Sequence, residues 1–73
     1  MNFDVDARGL SCPQPVMLTR KAIQEAGEKD IVVLVDSLTQ VQNITRAAAY
    51  VGWQATYEEQ GDAYLITLSK KTA

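Results

Sequence analysis

Histidine is absent from this chain and cysteine occurs once. Without His, neither a Ser-His-Asp nor a Cys-His nucleophilic unit can be assembled within the chain, and a zinc site would lack its usual ligands. No metal and no cofactor are therefore expected. A single Cys cannot close an internal disulfide, so the fold must hold without one, and a reducing compartment suits it. Long apolar runs are missing too. The longest, Ile31 to Val35, is far too short to span a bilayer, and the opening "MNFDVDARG" has neither the basic nor the apolar region of a signal peptide. A cytoplasmic protein with no membrane partner is the expectation. Positive charge is in slight deficit, seven Lys and Arg against nine Asp and Glu, for a net charge of -2. Nothing in that balance draws the chain to nucleic acid, and no direct nucleic-acid partner is expected.

What is present fits one small domain over residues 1–73, with residues 70–73 read as a frayed tail. Apolar residues make up 47 % and charged residues 22 %, the mix of an ordinary globular domain. At this length only about 60–65 % of the unfolded chain's surface is buried on folding, so the core is thin.

Phe3, Val5 and Ala7 alternate with Asp4 and Asp6, the period of a strand with one buried face, the two Asp facing water. From Pro13 to Ala26 a helical projection gathers Val16, Leu18, Thr19, Ala22, Ile23 and Ala26 in one arc, and Gly27 ends the helix. "IVVLV" is a β-branched run suited to a strand inside a sheet. Ser37 and Gln40 have the spacing of a reciprocal capping box, and Val41, Ile44, Ala48 and Val51 then form a helical stripe running to Gly52. Trp53, Ala55 and Tyr57 alternate in a third strand, "EQGD" turns the chain, and Tyr64, Ile66 and Leu68 alternate in a fourth.

The order is βαβαββ. Right-handed crossovers put both helices on one face of a mixed four-stranded sheet, an α+β two-layer sandwich. The third strand carries Gln54, Glu58 and Glu59 and reads as an edge, whereas "YLITL" is apolar on both faces and reads as interior. The expected strand order is 1-2-4-3.

The stretch "GLSCPQPVML" carries the chemistry. Proline has no N–H to donate, so Pro13 and Pro15 are tolerated only in the first helical turn, where the N–H groups have no intrahelical partner. The residue before a proline is pushed out of the α region, which makes Cys12 the expected N-cap, with the Gln14 amide free to donate to it. Helix N-termini and nearby cations lower thiol pKa values, and Arg8 in the approach loop is a cation able to add to that field. The site reads as a nucleophile without a base. A buried, inert thiol is the alternative, since free Cys often behaves as a small hydrophobe.

Other residues are partner-binding candidates. Met17 lies among polar positions near Cys12; it either packs beneath the loop or offers a flexible apolar contact to partners. Arg20 and Lys21 are placed to steer acidic partners or simply to solvate the helix. Asn43, Arg46 and Tyr50 share a stripe of the second helix opposite its core, a solvated face or a docking strip. Trp53 reads as a core anchor at a helix-to-strand junction.

The segment "DARGLSCPQPVMLTRKAI", Asp6 to Ile23, resembles the Cys-Pro-x-Pro signature of the TusA/SirA-like sulfur-carrier family. The resemblance implies that Cys12 carries sulfur as a persulfide, taken from a cysteine desulfurase or rhodanese-like donor and passed to an acceptor sulfurtransferase. Arg8, Gly9, Pro13, Gln14 and Pro15 would shape the site. The stretch "VDSLTQVQNITRAAAYVGW" lacks the Asp-Pro and Asp-Ile-Pro usual in the tRNA-thiolation branch, and Asp36, Asn43, Arg46 and Gly52 are closer to the YedF-like branch associated with selenium metabolism. A selenium-handling member or a non-catalytic regulatory domain are the alternatives to sulfur transfer.

Overall fold

The structure is a computed structural model that describes residues 3–10, 14–27 and 29–70. Cys12 and Pro13 lie outside the described residues, as do residues 71–73 of the expected tail. The chain runs β1 (Val5–Asp6), α1 (Gln14–Ala26), β2 (Ile31–Val35), α2 (Leu38–Tyr50), β3 (Trp53–Gln60) and β4 (Ala63–Lys70). The sheet order is β1-β2-β4-β3, as expected from the apolar character of "YLITL". Strands β1 and β2 are parallel, and β4 is antiparallel to both β2 and β3.

Register places Ile31, Val33 and Val35 of β2 on the same face as Ile66 and Leu68 of β4, because side chains alternate along a strand and Val33 lies opposite Ile66. That face meets Val41, Ile44 and Ala48 of α2 and Trp53 at the start of β3, all buried in one cluster with Ala7. Val16, Ala22, Ile23 and Ala26 of α1 pack on the same cluster, so both helices cover one face. Trp53 is the anchor its position suggested.

Several expectations are corrected at the edges. Phe3 is exposed, since β1 has only two residues and Asp4 replaces a longer ladder. The Asp4 N–H donates to the Val32 carbonyl, while its own carboxylate accepts from the Val32 N–H, both at 2.8 Å. Leu18 and Val51 are also exposed, since a helical projection gives a direction and not the extent of packing. The β3–β4 turn is tighter than "EQGD": Gln60 pairs with Ala63 across Gly61 and Asp62, with Gly61 at φ 60°. A glycine at the first central position suits a type II′ hairpin. Lys70, assigned to the tail, lies in β4 opposite Trp53.

Candidate functional site

The C-terminal ends of two parallel neighbours, β1 and β2, lie side by side, so both strand-to-helix junctions open at the same edge of the sheet. The second junction is short. Ser37 is extended, at φ -148° and ψ 150°, and its Oγ accepts from the Gln40 N–H at 3.2 Å, satisfying an N–H of the first turn. Half of the expected capping box is therefore present. The Gln40 side chain does not complete it at Ser37. Its Oε1 meets the Asp36 N–H at a long 3.5 Å, and its Nε2 donates to the Leu10 carbonyl at 2.8 Å.

Leu10 belongs to the other junction, and so does the second cross-link. The Gly9 N–H donates to Asp36 Oδ2 at 2.8 Å, with Gly9 at φ 75°, a left-handed conformation that other residues adopt at a cost. The loop approaching Cys12 is thus held by two side chains 27 and 30 residues away in sequence. Sequence reasoning missed both as site residues. In the sequence Gln40 reads only as a capping residue, and Asp36 only within a branch pattern.

Arg8 stands differently from its expected role. Its Nε and Nη2 donate to the two carboxylate oxygens of Asp6, each at 3.0 Å, and its backbone N–H adds a third bond at 3.2 Å. The side-chain bonds from Arg8 hold the Asp6 carboxyl below the usual carboxylate range, and those to Asp6 raise the Arg8 pKa in turn. Much of the guanidinium field is thereby offset before it can act on the loop.

On the far side of Cys12, α1 opens with Gln14 exposed and Pro15 buried. The Pro15 carbonyl accepts from the hydroxyl of fully buried Thr19 at 2.8 Å, which satisfies that hydroxyl and fixes the first turn. Met17, 62 % exposed, does not pack beneath the loop. With Leu10, Gln14 and Leu18 it lines an apolar hollow of about 330 Å³.

The remaining candidates do not converge. Arg20 and Tyr50 line a hollow between the helices with Val16, Ala47 and Val51, whereas Arg46 lines another with Leu38 and Tyr57. Lys21 faces a third, beside Asp4, Asp6 and Glu25. Asn43 is half-buried, and Tyr50 is 90 % exposed.

The family described as sulfurtransferase TusA matches residues 3–70. The chain belongs to the TusA family. The crystal structure of a SirA-like protein from Desulfitobacterium hafniense is similar to it, at 34 % identity and a TM-score of 0.84, covering 93 % of this chain and 96 % of that one. A role within this sulfur-carrier family follows, and the TusA match includes both junctions and the hollow beside them. No helix among the described residues is long and apolar enough to cross a membrane.

Proposed function

We propose that the protein is a sulfur carrier that holds a persulfide on Cys12 and relays it from a cysteine desulfurase or rhodanese-like donor to an acceptor sulfurtransferase. The observation that supports it best is the family match over residues 3–70, a span that includes Cys12, beside a Gly9–Leu10 segment anchored from the second junction and an exposed Met17. The Cys12 thiolate attacks the outer sulfur of the donor's persulfide. One S–S bond forms to Cys12, the donor's S–S bond breaks, and the donor's cysteine leaves as thiolate, with no net oxidation. Discharge repeats the exchange in the other direction, onto the acceptor's thiolate. Such chemistry needs a thiolate more than a general base, so the lack of His is no obstacle. The absence of a second Cys leaves no internal thiol to discharge the persulfide as a disulfide.

Gln14 and Pro15 open α1, and exposed Met17, beside the hollow it shares with Leu10 and Leu18, offers partners an apolar contact. Incubation with a desulfurase and cysteine, followed by mass spectrometry, is expected to add one sulfur atom to Cys12 and none to Cys12→Ser. Failure to load with both desulfurase and rhodanese-type donors would sink the proposal.

A further inference from the structure

The Gly9–Leu10 segment is two peptide units, about 7 Å of extended chain, from Cys12. Two of its backbone groups are bonded from the neighbouring junction, the Gly9 N–H by Asp36 and the Leu10 carbonyl by Gln40. We propose that Gln40 and Asp36 are positioning residues for the sulfur chemistry of Cys12. They act through the loop backbone, and the proposal rests on the reading of Cys12 as the carrier.

Gln40 is suited to the task by its two-ended side chain. Its Nε2 can bond the Leu10 carbonyl only as a donor, while its Oε1 lies toward the Asp36 N–H. Its backbone N–H is held by Ser37 Oγ, which ties the side chain to the start of α2. The residue therefore couples the Cys12 loop to a helix whose stripe of Val41, Ile44 and Ala48 is fully packed. Asp36 adds a charge-assisted bond one residue earlier in the loop. Releasing either bond loosens the Gly9–Leu10 segment that leads to Cys12, and a thiolate depends on fixed surroundings to stay ionised.

The readout is Cys12 alkylation by iodoacetamide as a function of pH, which gives the thiol midpoint without any partner, alongside sulfur loading by a desulfurase. Gln40→Met keeps the size and removes both hydrogen bonds. It is expected to move the alkylation midpoint upward by about 0.3–0.5 pH units, the scale of a helix-terminus interaction, and to slow loading about five-fold. Gln40→Glu loses the donor and should behave like Gln40→Met or worse. Asp36→Ala should slow loading similarly, and Asp36→Asn, which keeps an acceptor for Gly9, should recover most of the loss. Thermal unfolding run in parallel separates this from a structural role. Lower stability with an unmoved midpoint and unchanged loading overturns the proposal. If the wild type itself takes up no sulfur, the carrier reading fails, and the alkylation midpoints still decide whether Gln40 positions Cys12.

Discussion

The two parallel strands each pass the chain to a helix, and the two junctions are built in opposite ways. Between β2 and α2 stand only Asp36 and Ser37, and the turn closes itself: Ser37 Oγ accepts from the Gln40 N–H and its carbonyl from the Val41 N–H. Between β1 and α1 the chain takes residues 7–13, and the described part is held by side chains borrowed from the other junction. The helices differ likewise. Helix α2 buries Val41, Ile44 and Ala48, whereas α1 buries only Pro15 and Thr19 and lays a half-buried face on the core. The self-sufficient junction supports stability, and the dependent one leads to Cys12, the proposed carrier residue. Function commonly sits on such a loop over a rigid frame.

The largest break in that comparison comes from the packed side. Ile44 is fully buried, and Ile44→Ala is expected to cost about 2–5 kcal/mol, a large share of the stability of so small a domain. Leu18 on α1 is 38 % exposed, and Leu18→Ala should cost roughly 1 kcal/mol or less. Denaturant unfolding of both variants checks the contrast, and equal losses would show that α1 carries as much of the fold as α2.

Ser37→Ala is the next step down. Loss of the hydroxyl that caps α2 should cost about 1 kcal/mol in thermal or denaturant unfolding. The Cys12 alkylation midpoint should stay in place, since the bonds to Gly9 and Leu10 come from the Asp36 and Gln40 side chains. A shifted midpoint would mean that the two junctions are less separable than their hydrogen bonds indicate.

The same contrast explains what could be read from the residues alone. The sheet order was legible because "YLITL" is apolar on both faces and "WQATYEEQ" is not, a difference that burial within a sheet imposes directly on sequence. The Ser37 cap was legible because its partner is three residues away. The role of Gln40 was not. A local rule directed its side chain back to Ser37, whereas its shorter bond is to a residue 30 positions earlier, and such a contact leaves no periodic trace. Asp4 escaped for the same reason, its carboxylate continuing a ladder where alternation indicated only a water-facing position. Cys12 stood out by composition, as the single thiol between a loop and two prolines.

Asp6 gives the smallest effect and the sharpest test of what Arg8 contributes. Hydrogen bonds from the Arg8 side chain lower the Asp6 pKa in the folded protein. Such a shift stabilises the fold above the unfolded carboxylate's pKa of about 3.9, and the contribution fades as pH falls through the lower folded value. Wild type should therefore be slightly more stable than Asp6→Asn near neutral pH, with the gap closing in acid. Because the pair is exposed, the gap should also shrink in high salt. A gap that widened on acidification would reverse the sign of this account. The same variant frees the Arg8 guanidinium from its carboxylate, so a downward move of the Cys12 alkylation midpoint would measure the field that Asp6 withholds. An unmoved midpoint would leave Arg8 as a strut of the first junction with no hold on the Cys12 thiol.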